Sequence, residues 1–229
     1  MDHRSADFAA LGHEVLNGLK AVFKTKSPVI IYPASGTGAW EAALVNTLSP
    51  GDRVLAFETG EFARLWAELA KRLGLEVEVV HTDWRGAVDP ALLEGVLRGD
   101  HDKRIKAVMV VHNETSTGAT TRMAAIRKAI DAAAHPALLL VDAVTSLGGH
   151  ELRVDDWGID AIYSGTQKCL SCPPGLAPVS FGERALAKDA LQGVALWVSL
   201  RRHDPGAVLW VLALDAETAD AIRRLNETN

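Results

Sequence analysis

Apolar runs of strand length alternate with stretches of helical periodicity along most of this 229-residue chain. A parallel sheet needs such an alternation, because each parallel pair of strands is joined by a long crossover connection. The pattern therefore predicts an α/β fold with a mainly parallel sheet and helices on both faces. The predicted strands are Val29–Tyr32, Arg53–Phe57, Leu75–Val80, Ala107–His112, Ala137–Val141, Ala161–Ser164 and Leu176–Phe181.

The segments between these runs carry helix start and stop signals, and they predict helices near Thr37–Asn46, Glu61–Arg72, Pro90–Leu97 and Arg122–Ala134. An amphipathic helix precedes the first strand, and its apolar face is predicted to pack on a neighbouring surface. That face comprises Phe8, Leu11, Leu16, Leu19 and Phe23. The pattern changes near residue 187, which predicts one domain over residues 1–186 and an atypical tail over residues 187–229.

Charge and cysteine content narrow the function. The formal net charge is −5, and the sequence contains no basic stripe, so neither nucleic acid nor an anionic membrane is expected as a partner. A small ligand is expected instead. The start of the chain lacks the apolar region of a signal peptide, and no apolar run approaches the roughly 18 residues that span a bilayer, so a cytoplasmic location is expected. The two cysteines cannot form a disulfide framework.

Ligands of open α/β sheets bind beyond the carboxyl ends of the strands, and polar residues follow several predicted strands here. After the first strand, the small residues Ser35, Gly36 and Thr37 lead into a helix, where backbone N–H groups could bind a phosphate. An ordinary glycine-rich turn would look the same. Asp142 ends an apolar strand, where a carboxylate needs a cation, a donor or a backbone cap as its partner.

Two further segments follow strands. His112 to Gly118 is rich in hydrogen-bonding groups, which suits either a ligand site or a solvated loop with a helix cap. Lys168 follows the strand that begins at Ala161, and an amine in apolar surroundings becomes a nucleophile toward carbonyls. Pyridoxal phosphate uses an anion cradle, a Schiff-base lysine and an acid at its pyridine nitrogen, so the combination predicts this cofactor.

Four strings resemble the class V aminotransferases, a family of fold-type I pyridoxal-phosphate enzymes, and within it the serine-glyoxylate and alanine-glyoxylate group. These strings are Ser35-Gly36-Thr37 with Trp40-Glu41, HNETSTG from His112, VDAVTSLGG from Val141 and YSGTQKCLSCPPG from Tyr163. They occur in the family's order, and the resemblance extends from Asp2 to about Leu186. It implies transamination from an amino acid, with serine favoured or alanine, to glyoxylate, by a homodimer.

The resemblance also implies roles for individual residues. Lys168 would form the Schiff base and remove the substrate's α-proton, and Asp142 would pair with the pyridine nitrogen. The remaining cofactor-binding residues would be Ser35, Gly36 and Thr37 at the phosphate with Thr166 and Gln167 nearby, Val144 and Ser116 at the ring, and Phe62 as the stacking aromatic. Phe62 fits a helix face in the core equally well.

Family members are longer, with a leading segment and a small C-terminal domain that carries a carboxylate-binding arginine. Neither is recognisable here, so the chain is expected to be a truncated form, and an inactive remnant is the alternative to an active transaminase. Cysteine desulfurases share the fold, but they have a histidine directly before the Schiff-base lysine and a reactive cysteine on a later loop. Here Gln167 precedes Lys168 and no cysteine follows Cys172, so transamination is favoured over desulfuration.

A zinc hydrolase is the alternative from another class. His112 and Glu114, followed by Cys169 and Cys172, partly match the zinc deaminase pattern, although Lys168 stands where that pattern has proline. Because of this departure, and because a single Cys-x-x-Cys pair is as often incidental as metal-binding, no metal site is expected.

Overall fold

The computed structural model describes residue 2 and residues 5–187 of the chain. Nearly all of the predicted tail, over residues 188–229, lies outside the described residues. The described part contains six helices and seven strands, which alternate as far as the fifth strand, after which the last three strands follow one another with no helix between them. The helices are α1 (Ala6–Phe23), α2 (Gly36–Val45), α3 (Glu61–Arg72), α4 (Pro90–Gly99), α5 (Met123–Ala132) and α6 (Glu183–Leu186). The strands are β1 (Val29–Tyr32), β2 (Arg53–Glu58), β3 (Glu76–His81), β4 (Ile105–Val111), β5 (Leu138–Asp142), β6 (Ala161–Tyr163) and β7 (Ala177–Phe181).

The strands form one sheet in the order β1-β7-β6-β5-β4-β2-β3. Among the described strands only β7 runs against the others, since it pairs antiparallel with both β1 and β6. The remaining neighbours pair in parallel. The prediction of a mainly parallel sheet is thus confirmed, and the carboxyl ends of β1, β6, β5, β4 and β2 share one edge.

Both faces of the sheet are covered, because successive side chains of a strand point to opposite faces. On β5, Leu138 and Leu140 contribute to one core cluster, which includes residues of α2 and α3. Leu139 and Val141 contribute to the other cluster, which includes residues of α4 and α5. The continuous apolar sequence of β5 follows from this double burial, and the predicted layer of helices on each face is confirmed.

Helix α1 differs from its sequence prediction. Of its residues only Phe23 is buried, while Leu19 packs partly against the core and Leu11 stays 45% exposed. The predicted apolar face therefore packs only near its carboxyl end, among the described residues. No helix in the described part of the chain combines the length and apolarity needed to cross a membrane.

Candidate active site

A cavity of about 190 Å³ lies at the carboxyl edge of the sheet, beyond β1, β4, β5 and β6. It is lined by Ser35, Gly36, Thr37, Trp40, Phe62, Val111, Asn113, Thr115, Asp142, Val144, Thr145, Gln167 and Lys168. Residues from distant parts of the sequence meet here because parallel strands bring their carboxyl ends to one edge.

Eight of the ten residues predicted to bind the cofactor line this cavity, and two do not. The Ser116 hydroxyl accepts a hydrogen bond from Glu61 N at 2.9 Å and donates to Glu114 Oε1 at 2.8 Å. The Thr166 hydroxyl lies 2.7 Å from the carbonyl oxygen of Pro173. Both side chains thus have partners of their own beside the cavity, and their cofactor contacts stay predictions.

Asp142 is the buried carboxylate of the site, at the end of β5. Its Oδ1 accepts a hydrogen bond from Val144 N at 2.8 Å, and its Oδ2 accepts one from the Trp40 indole N–H at 2.6 Å. The backbone cap considered from the sequence is therefore present, together with a side-chain donor. Burial raises the pKa of Asp142 to about 6, although both hydrogen bonds act in the opposite direction.

The wall behind this carboxylate is aromatic. Trp40 stacks on Trp66 with ring centroids 6.4 Å apart, and Trp66 meets the edge of Tyr163 at 5.4 Å. Packing on a large side chain such as Trp66, which is 1% exposed, limits the positions that the Trp40 indole can adopt. The donor to Asp142 is thereby fixed in place.

His112 follows β4 and is buried beside the same strand end. Its Nδ1 lies 2.9 Å from Ser146 Oγ, and its ring meets the edge of His150 at 6.2 Å. Burial, followed by the charge of His150, lowers the pKa of His112 to about 4. The imidazole is consequently neutral at physiological pH, and it does not line the cavity.

The amino end of α2 forms the anion-binding side of the cavity. Ser35 is the N-cap residue, but its side chain makes no hydrogen bond to the first turn. The Ser35 side chain therefore leaves the N–H groups of the first turn available to a negatively charged ligand, and the helix dipole favours negative charge at this end of α2. Gly36 is needed for close packing, because a Cβ at this position would lie 2.6 Å from Val144 Cγ2.

Gly36→Ala is expected to displace Val144 and to destabilise the protein by about 1–3 kcal/mol through overpacking. Gly18→Ala, in the interior of α1, is the matched control, because nothing lies within 4 Å of its added Cβ. The control should stabilise the protein by roughly 0.5–1 kcal/mol. Urea denaturation measures both, and equal effects of the two substitutions would contradict the close packing at Gly36.

Lys168 lines the cavity together with Gln167, in the loop after β6. Both side chains are exposed. The sequence predicted apolar surroundings for the Lys168 amine, and that expectation is wrong for the described part of the chain. The loop begins directly after the three-residue strand β6.

Three functional candidates were not assigned a role from the sequence. Trp40 donates to Asp142 across 102 positions of sequence, so no local spacing could reveal the pair. Asn113 lines the cavity, and its buried Oδ1 has no hydrogen-bond partner in the described part of the chain. Glu114 is fully buried and accepts hydrogen bonds from the start of α3. The polar HNETSTG string was the only signal for the last two.

The residues of the zinc deaminase pattern are engaged elsewhere. His112 pairs with Ser146, and Glu114 accepts from backbone N–H groups of α3. Cys169 and Cys172 are both exposed, and their thiols lie near backbone carbonyl oxygens. In the described residues, no group of three or more His, Cys, Asp or Glu side chains is arranged to hold a metal ion.

Known proteins resemble the chain in sequence and in fold. Residues 1–193 match the family model described as aminotransferase class V. The serine-glyoxylate aminotransferase of Methylorubrum extorquens is 48% identical over 186 residues, which are 81% of this chain and 46% of that protein. The L-aspartate-glyoxylate aminotransferase of Paracoccus denitrificans is 46% identical over 187 residues, covering 81% of this chain and 47% of that protein.

A solved structure gives the corresponding likeness in three dimensions. The alanine-glyoxylate aminotransferase from Nostoc sp. superimposes with a TM-score of 0.79 at 29% identity, covering 100% of this chain and 62% of that one. The chain spans about half the length of the curated relatives it matches.

Proposed function

The chain belongs to the class V aminotransferase family, and from this premise we propose that the protein transfers an amino group from an amino acid to glyoxylate with pyridoxal phosphate as its cofactor. The relatives are named for different donors, serine and aspartate, but for the same acceptor. Glyoxylate is therefore the better supported substrate, and serine is the donor we favour. A homodimer is proposed as the working assembly.

One observation carries the proposal: Asp142, the amino end of α2 and Lys168 line a single cavity. A dianionic phosphate fits the uncapped first turn of α2, and a protonated ring nitrogen fits a buried carboxylate. The Oδ1 of Asn113, which has no hydrogen-bond partner among the described residues, can accept a hydrogen bond from a ligand. The donor set thus fits pyridoxal phosphate.

When bound, pyridoxal phosphate supplies an electron-withdrawing ring that stabilises negative charge at the substrate Cα. Ser35 and Thr37 would bind the phosphate through their hydroxyls and through the N–H groups of α2. Asp142 would keep a proton on the ring nitrogen, and Trp40 would keep the carboxylate oriented. Phe62 and Val144 would pack against the ring.

Lys168 would hold the cofactor through a covalent bond to its Nζ. Once the substrate amine has displaced Nζ from that bond, the freed amine of Lys168 would accept the proton from the substrate Cα as a general base. Its exposed position lets the Nζ group move between these two tasks without unfolding the loop. Gln167 would lie next to the ring, and Thr166 and Ser116 would support the loops on either side.

The proposed function is tested by a half-reaction. Protein loaded with pyridoxal phosphate is mixed with L-serine, L-alanine or L-aspartate, and the keto acid formed is measured, followed by glycine formation after glyoxylate is added. A fusion to the remaining half of the Methylorubrum extorquens relative is measured in parallel. We expect the fusion to prefer serine and to transfer the amino group to glyoxylate.

If neither form produces a keto acid although both bind the cofactor, the transaminase proposal is wrong and the inactive alternative is correct. If only the fusion is active, the site at the sheet edge is competent but needs residues from the remaining half of the relative.

A further inference from the structure

Helix α3 begins without a cap of its own. Its N-cap residue is Gly60, which has no side chain to accept hydrogen bonds from the first turn. The first N–H groups of any helix lack intrahelical partners and need acceptors from outside. Here Ser116 Oγ accepts from Glu61 N at 2.9 Å, and Glu114 Oε2 accepts from Ala63 N at 3.0 Å.

The Glu114 carboxylate is surrounded by donors. Phe62 N lies 3.4 Å from its Oε1, and Ser116 donates to the same oxygen from its backbone N–H at 3.0 Å and from its hydroxyl at 2.8 Å. The residue is 0% exposed. An ionised carboxylate satisfies all these donors, whereas an amide at this position would turn an NH₂ group toward one of them.

The fit between the loop and the helix is tight. A Cβ at Gly60 would lie 2.4 Å from Glu114 Cγ and 2.5 Å from Ser116 Oγ. An ordinary N-cap residue therefore cannot stand at residue 60 while Glu114 is in place. The capping of α3 is thus performed by a loop more than 50 positions later in the sequence.

This capping connects two walls of the cavity. Phe62, in the first turn of α3, lines the cavity and meets Trp40 edge-on with centroids 6.4 Å apart. Asn113 and Thr115 flank Glu114 in sequence and line the cavity from the loop after β4. A change at Glu114 would therefore move Phe62 relative to these two residues.

We propose that Glu114 is a positioning residue that joins the start of α3 to the loop after β4 and so fixes Phe62 at the ring side of the cofactor site. The inference rests on the proposed function, because it takes pyridoxal phosphate as the ligand. This positioning role of Glu114 differs from a simple capping role, because capping alone would stabilise α3 without setting the shape of the cavity.

Glu114→Gln in the full chain is expected to weaken the affinity for pyridoxal phosphate by about 10- to 100-fold, an effect comparable with that of losing a residue that orients a metal ligand, because Phe62 would no longer be held at the ring side of the site. Asp100→Asn is the matched control. The Asp100 carboxylate also accepts from a backbone N–H, that of Ile105, but at the opposite end of β4. The control should lose thermal stability and keep its cofactor affinity within about twofold of wild type.

A rescue experiment separates positioning from capping. Glu114→Ala with Ser116→Ala removes both side chains that a Cβ at residue 60 would meet, so Gly60→Asp can then supply an ordinary N-cap to α3. We expect this triple variant to regain much of the melting temperature that the double variant loses. Its affinity for pyridoxal phosphate should stay at least about 10-fold weaker than that of wild type.

Recovery of affinity together with the melting temperature would overturn the proposal, as would wild-type affinity in Glu114→Gln. Failure of the proposed function gives a different result, because the wild-type chain itself would then not bind pyridoxal phosphate. In that case near-ultraviolet circular dichroism of the unliganded protein decides. Glu114→Gln should alter the signal of the Trp40 and Phe62 pair, Asp100→Asn should not, and an unaltered signal in Glu114→Gln would contradict the inference.

Discussion

Asp142→Asn is expected to abolish a loss of about 3 kcal/mol in unfolding free energy that the unliganded wild-type protein undergoes between pH 4 and pH 8. Burial raises the pKa of Asp142 from 3.8 to about 6 in the folded protein. Because the folded state binds the proton more tightly than the unfolded state, the stabilising contribution is complete below about pH 4 and is lost as the pH rises through 6. Asparagine does not ionise, so the variant escapes this loss.

Urea denaturation at pH 4 and pH 8 measures the effect. The unfolding free energy of Asp142→Asn relative to wild type should rise by about 3 kcal/mol from pH 4 to pH 8. Asp102→Asn is the control, since Asp102 is an exposed carboxylate before β4. A relative unfolding free energy that does not rise with pH would show that the ionised Asp142 is stabilised by its partners instead of being strained by burial.

The same substitution should reduce the half-reaction with serine on the order of 100-fold or more, because electrostatic stabilisation of developing charge is lost. An amide keeps the volume of Asp142 but cannot hold a proton on the ring nitrogen. A stability relative to wild type that rises with pH, together with lower activity, is the expected signature of a functional carboxylate. An unchanged single-turnover rate would contradict the assigned role.

Lys168→Ala should abolish covalent attachment of the cofactor and slow the half-reaction by about 100- to 10,000-fold, the usual contribution of a general base. Since Lys168 is exposed, the free energy of unfolding should change by less than about 0.5 kcal/mol. Lys71→Ala, an exposed lysine at the end of α3, is the control. Visible absorbance and single-turnover rates measure the effect, and a Lys168→Ala protein with wild-type rates would refute the role of the lysine.

The alternation of apolar runs and helical periods predicted the α/β class and the sheet edge that carries the site. It could not give the strand order, because β1 lies beside β7 through the pairing of Val29 with Ser180, far away in sequence. It also placed the start of β4 at Ala107, whereas the strand begins at Ile105. The exposed Lys106 interrupts the apolar run there, although its backbone is part of the strand.

Some features of the candidate site were predictable from the sequence, and others were not. Residues at strand ends, such as Asp142, were predictable because an apolar strand that ends in a carboxylate is unusual. The Trp40 indole that binds Asp142 and the Glu114 carboxylate that binds the start of α3 were not predictable, because both act across more than 50 positions of sequence. The solvent exposure of Lys168 was also beyond the sequence, since it depends on which loops surround the cavity.

The most direct test of the account maps the attachment of the cofactor. The full chain is incubated with pyridoxal phosphate, reduced with borohydride and digested, and the modified peptide is identified by mass spectrometry. We expect a single modified site at Lys168, which is lost in Lys168→Ala and kept in Lys71→Ala. A label on another lysine, or a folded protein that takes up no label, would contradict the assignment of this cavity as the cofactor site.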